Sequence, residues 1–244
     1  MSRNYVLMRE IEQKQALLSN CSIEPALTVG KSSSRGFPRP LASDLMAGLV
    51  QRVFLKPQQK PPRLVVFAAV DHGNGCSQIA ASVARALTAS APGAVCLVEA
   101  NFRSPALPRM LGTTNYQGFT DALLQQGSIR SFMKPMGNGR LWLLSSGPVA
   151  ADSPSLLAAE RVRARFVELR AEFDFVIVDA PPLSRYAAAI ALGQVSDGMV
   201  LVLEAGSTRQ DTASAAVQYV RAARIQVLGA VLNKEMVKYG RGII

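Results

Sequence analysis

Histidine, cysteine and tryptophan are scarce in this chain of 244 residues, which has one His, three Cys and one Trp. The lone histidine is His72, and Cys21, Cys76 and Cys96 show no CxxC spacing. A zinc site or a disulfide framework therefore lacks its ligands, and a reducing cytoplasm fits. Also missing is any apolar run of about 18–20 residues, so no membrane span is expected. The opening MSRNYVLMREIEQKQ has no apolar centre of the kind a signal peptide needs. Acids are the scarcer charge, 17 Asp and Glu against 27 Lys and Arg, for a net charge of +10. Residues 1–63 carry ten bases against four acids (+6), and the other 181 residues seventeen against thirteen (+4). A basic extension suits an acidic partner, a nucleic acid or an anionic membrane surface; a solvated tail is the plain alternative.

Hydrophobic residues make up 49% of the chain, enough for one substantial core. Its centre is RLVVFAAVDHGNGCSQIAASVARALT, residues 63–88. Leu64 to Val70 is an unbroken, β-branched apolar run and reads as a strand buried on both faces. The loop Asp71-His72-Gly73-Asn74-Gly75 follows, and from Ser77 onward Ile79, Val83, Ala86 and Leu87 share a helical face. Strand, glycine loop and helix in that order form a phosphate cradle, in which backbone N–H groups and a helix N-terminus hold an anion. A working P-loop places Lys just before the Ser or Thr, and that position here is Cys76.

The organisation expected is an N-terminal extension over 1–62, an α/β domain over 63–235 and a tail over 236–244. Within the extension the pattern predicts a helix at 3–18, a Pro/Ser/Gly linker at 19–40 and an amphipathic helix at 41–55, whose Leu49, Val53 and Leu55 need cover. Beyond the glycine loop, strands are expected at 94–99, 141–144, 175–178, 198–204 and 226–232. Helices are expected near 118–126, from Pro154 to Glu172 with Asp152/Ser153 as its cap, and at 186–194 and 209–223. Short apolar strands alternating with helices predict a doubly wound, mostly parallel sheet covered on both faces. Ligands in such sheets bind at the carboxyl ends of strands, where the loop, Glu99, Asp179 and Asn233 would converge. The charges Arg161, Arg163, Arg165 and Arg170 with Glu160, Glu168 and Glu172 read as a solvated helix face.

Five segments in order resemble one family: HGNGCS, VCLVEANFRSPALPRMLG, LLSSGPVAADSPSLLAA, FDFVIVDAPPL and SDGMVLVLEAGSTR with VLGAVLNK. The chain, from about Leu41 to Asn233, is similar to the cytoplasmic domain of bacterial tyrosine autokinases of capsule and exopolysaccharide synthesis. These are P-loop ATPases related to partitioning proteins. The resemblance implies a P-loop NTPase fold that takes ATP or ADP with magnesium. It places nucleotide on Gly73, Asn74, Gly75, Cys76, Ser77 and Gln78, with Asn233 on the adenine, and magnesium on Ser77 and Asp179. It makes Asp179, Glu99 and Asn101 the catalytic positions. Here the sequence departs from the family. Cys76 replaces the lysine, and Glu99-Ala100-Asn101 replaces Asp-Ala-Asp, so an amide stands where a carboxylate would act as base. The usual tyrosine-rich tail is reduced to Tyr239, and no activator segment is seen on the chain.

Losing the loop lysine removes a fixed charge from phosphates whose transfer depends on positioning and charge stabilisation. The reading is therefore a catalytically weak or inactive relative of the autokinases, cytoplasmic and peripheral at the inner membrane, partnering a membrane polysaccharide co-polymerase or export protein. Homo-oligomers fit the family, whereas nucleic acid is not expected as a partner. One alternative is a working autokinase or ATPase that borrows Arg103 or a neighbouring subunit's base. Another is a partitioning-type positioning ATPase. Cys76 itself reads as a small residue filling the lysine's space, or as a low-pKa thiol at a helix start.

Overall fold

The computed structural model describes residues 27–30, 39–56, 60–137, 139–148 and 159–235. The helix expected at 3–18, most of the linker, the cap at Asp152/Ser153 and Tyr239 lie outside them. Eight strands form one sheet among the described residues. They are β1 (Leu27–Gly30), β2 (Leu64–Ala69), β3 (Val95–Glu99), β4 (Lys134–Met136), β5 (Leu141–Leu144), β6 (Phe175–Ala180), β7 (Gly198–Glu204) and β8 (Val227–Glu235). Their order is β1-β8-β7-β2-β6-β3-β5-β4, every pairing parallel except β4 against β5. The helices are α1 (Arg39–Val53), α2 (Cys76–Ser90), α3 (Leu107–Met110), α4 (Phe119–Leu124), α5 (Ala159–Glu172), α6 (Ala188–Gln194) and α7 (Gln210–Ala222), with a 3-10 turn at Ile129–Phe132.

The alternation of side chains along a strand divides the core in two. Leu64, Val66 and Ala68 of β2 enter one apolar cluster with Phe166 and Leu169 of α5, Leu192 of α6 and Val220 of α7. Val65, Phe67 and Ala69 enter the other, with Leu49, Val50 and Val53 of α1 and Ile79, Val83 and Leu87 of α2. All six β2 side chains are buried, as an unbroken apolar run requires in a sheet covered on both sides. Covering a Leu, Ile or Phe from water contributes about 1.5–3 kcal/mol each, so this double layer fixes where β2 ends. The phosphate loop starts at that end.

Two sequence expectations change, and the helix expected near 41–55 finds its cover. Residues 19–40 contain β1, which pairs parallel with β8 (Leu27 opposite Val231), so part of the expected linker is sheet. Helix α1 packs on α2 through Met46, Leu49, Val50 and Val53, and Phe54 meets Phe175 edge-on at 5.9 Å. Residues 39–56 are thus a layer of the domain. The charged face of α5 is also only partly solvated. Arg165 is 9% exposed and donates to the carbonyls of Ala122, Gln125 and Gly127 while pairing with Glu168. Those carbonyls lie in and just beyond α4, where a helix end leaves acceptors without intrahelical donors. Short elements also went unexpected: α3, the 3-10 turn and the antiparallel β4.

Candidate functional site

From Ala69 at the end of β2 the chain turns through residues 70–75 and enters α2 at Cys76. Gly73 (φ +89°) and Gly75 (φ +84°) both stand in the left-handed region, where a Cβ is costly. At Gly75 a side chain would also run into the amide of Asn233. Helix α2 has neither a side-chain N-cap nor an acid in its first turn. Its opening N–H groups and its dipole therefore face the loop side without a built-in anion.

The loop is held from behind by the end of the sheet. Asn233 Nδ2 donates to the Asn74 carbonyl at 2.8 Å, and Lys234 Nζ donates to the Gly73 carbonyl at 2.6 Å while pairing with Glu204 at 3.0 Å. The Asn74 amide meets the Thr208 hydroxyl at 2.9 Å. Pinning two successive carbonyls on one side leaves the other side of the loop to its ligand.

On that other side is a cleft of about 570 Å³. The loop from Gly73 to Gln78, Asn101 and Asp179 all line it, so the structure brings these expected site residues together. Glu99 and Asn233 are not in the lining. Asn233 is buried behind the loop as described. Glu99 is opposite Asp179 in the β3–β6 register, but its Oε2 accepts from the N–H groups of Ala106 (2.9 Å) and Leu107 (2.7 Å) and so anchors the start of α3. Arg103 is outside the lining too, with its guanidinium 5.1 Å from the Tyr186 ring centre. Arg109, on α3, lines the cleft instead. No sequence signal marked it, because its place depends on how residues 100–106 fold back.

At and behind the floor of the cleft, Asp179 in the lining and Glu99 beside it on β3 form an incompletely paired acidic pair. Glu99 Oε1 and both Asp179 oxygens are buried without a hydrogen-bond partner of normal geometry. Burial, then the Asp179 charge, pushes Glu99 up to about 9, against the pull of the Leu107 and Ala106 N–H groups. Burial also pushes Asp179 up, to about 6, and the nearby Ser77, Cys76 and Glu99 side chains temper the rise. The Cys76 thiol is raised well above its ordinary value, first by burial and then by Asp179. It is therefore a neutral thiol, and the reading of Cys76 as an activated thiolate is withdrawn. Orphaned buried acid oxygens suit a cation, and magnesium is one that prefers hard oxygen donors. The residues present fit that ion: Ser77 and Asp179 would hold it, and it would supply positive charge to phosphate oxygens. Asn101 stands on the cleft wall, where its amide cannot remove a proton.

Strand, glycine loop, Ser77 and strand-end Asp179 together define a P-loop-type α/β domain that lacks the loop lysine. Its relatives narrow this class. The tyrosine-protein kinase YwqD of Bacillus subtilis (strain 168) is 28% identical over 196 residues, 80% of this chain and 82% of its own. The succinoglycan biosynthesis transport protein ExoP of Rhizobium meliloti (strain 1021) is 28% identical over 175 residues, which are 70% of this chain and 22% of ExoP. The kinase domain of the Escherichia coli tyrosine kinase ETK superposes with a TM-score of 0.82, covering 93% of this chain and 96% of its own at 18% identity. That likeness shows the fold. No protein-family model matches the chain. The chain resembles the bacterial tyrosine kinases of capsule and exopolysaccharide synthesis. Among the described residues no helix is long and apolar enough to cross a membrane.

Proposed function

We propose that this chain is a regulatory relative of the polysaccharide tyrosine autokinases, with phosphoryl transfer weak or lost. It works at the cytoplasmic face of the inner membrane beside a polysaccharide co-polymerase or export protein. The observation that supports this reading is the floor of the cleft. Cys76, 8% exposed, fills the lysine position as a neutral thiol next to two acids with three unpaired oxygens. Phosphoryl transfer draws on fixed positive charge and an aligned base, and both are missing from this floor. The glycine loop, Ser77 and Asp179 remain, so nucleotide with magnesium is retained as a ligand, bound weakly. The similarity to ExoP supports polysaccharide work, and the +6 balance of residues 1–63 supports contact with an anionic surface.

Steady-state ATP turnover and autophosphorylation test the proposal. The unmodified chain is expected near background, and Cys76→Lys alone restores little, because Asn101 still lacks a carboxylate. Groups that act as a unit are not additive, so recovery needs Cys76→Lys together with Asn101→Asp. Robust turnover by the unmodified chain overturns the reading and favours a working kinase.

A further inference from the structure

Among the described residues that line the cleft, one is a cation, and it is not in the loop. The charged side chains that line it are Asp71, Asp179 and Arg109. An anion entering past Asp71 towards Asp179 meets two acids, and Arg109 is the single positive side chain among the described lining residues. We propose that Arg109 supplies from α3 the charge towards nucleotide phosphates that Cys76 cannot supply from the loop. This rests on the nucleotide site proposed above and names the residue that keeps it in use.

Three observations carry the assignment. First, Arg109 is exposed, and its guanidinium makes no ion pair or hydrogen bond among the described residues. Second, its backbone is fixed. Glu99 Oε2 holds the N–H groups of Ala106 and Leu107, the Leu107 side chain is fully buried, and the Thr113 N–H closes the turn on the Pro108 carbonyl at 2.9 Å. The acid that would have served chemistry instead anchors the segment that carries the arginine. Third, two other cations, one on the same connection and one behind the loop, are engaged elsewhere. Arg103 is over Tyr186, and Lys234 is bound behind the loop to the Gly73 carbonyl and Glu204. An arginine also suits this task, because its planar fork can take two phosphate oxygens at once.

Calorimetric titration of the full chain with ADP and magnesium decides the matter. Hydrogen bonds to charged groups are worth enough that Arg109→Met should weaken ADP binding about tenfold or more. Arg109→Lys should weaken binding less than Arg109→Met, since it keeps the charge but loses the planar fork. The position is exposed, so the variants should melt with the parent. In a Cys76→Lys background the loop charge is back, and Arg109→Met should then cost much less; a coupled pair shows this non-additivity. ADP affinity unchanged in Arg109→Met overturns the arginine's role and leaves the nucleotide site standing. No ADP binding by the unmodified chain overturns the nucleotide site itself.

Discussion

The two ends of the sheet treat the same residue type in opposite ways. At the amino end Asp197, just before β7, has both oxygens employed. The Arg170 guanidinium donates to Oδ1 at 2.9 Å and to Oδ2 at 2.7 Å, and the N–H groups of Arg63 and Leu64 each donate to Oδ2 at 2.8 Å. Burial works against its charge, but Arg170 and the two N–H groups outweigh burial and hold the carboxyl below its usual range. At the carboxyl end Asp179 is fully buried, has no hydrogen bond of normal geometry and is raised, although Ser77, Cys76 and Glu99 lie close enough to temper the rise. Asp197 ties the start of β2 to β7 and α5. Asp179 joins no elements through a hydrogen bond of normal geometry, and burying its charge costs stability. A fold retains a group of the second kind where a ligand will meet it.

Breaking the amino-end knot should have the largest effect. Asp197→Ala leaves a half-buried guanidinium and two N–H groups short of an acceptor, for a loss of about 2–3 kcal/mol by urea unfolding. Because folding lowers this carboxyl, its contribution is present above the ordinary aspartate range and fades as pH falls through the folded value. The parent should therefore lose part of its advantage over the variant in acid. An equal gap at pH 3 and pH 7 contradicts this. At the other end, Gly75→Val forces a β-branched residue into φ +84° and against Asn233. A cost of about 1–2 kcal/mol is expected, with ADP binding lost and the fold kept. Calorimetry with and without ADP checks both, and retained affinity would show that the ligand sits away from the loop.

The amino-acid pattern is enough to read the parts of this molecule that depend on local periodicity. The strands at 141–144 and 198–204 coincide with their expected limits, and the doubly buried run of β2 delivers the glycine loop to the sheet edge. The acids Glu99 and Asp179 were legible as strand-end residues, since both close apolar runs. What escaped depends on contacts distant in sequence. Arg165 has the same spacing as any solvated helix charge, and only the carbonyls of residues 122, 125 and 127 draw it inside. Asn233, expected at the adenine, also donates its amide to the loop carbonyl of Asn74, a support that only the folded sheet end shows. Residues 27–30 lie in a Pro/Ser/Gly stretch whose composition hides a strand, because β8 supplies the pairing. Arg109 and Glu99 are linked only through a folded-back segment.

The smallest effect separates the two aspartates most directly, because its sign is reversed. A carboxyl raised on folding holds its proton more tightly in the native state. Its penalty is absent while both states are protonated, below the ordinary carboxylate range near pH 4. It grows as pH rises through that range and is complete once the raised values are passed, about 6 for Asp179 and about 9 for Glu99. Asp179→Asn removes one buried charge and its repulsion of Glu99, while an amide of similar shape stays in place. The variant should be as stable as the parent at pH 4 and more stable by about 1 kcal/mol at pH 8. Magnesium should narrow that difference in the parent alone, since the ion neutralises the oxygens that the variant no longer has. Thermal melts at the two pH values, with and without magnesium, measure all three quantities. A parent that is more stable than Asp179→Asn at pH 8 without magnesium would mean that Asp179 is paired after all, and the contrast between the two ends of the sheet would fall.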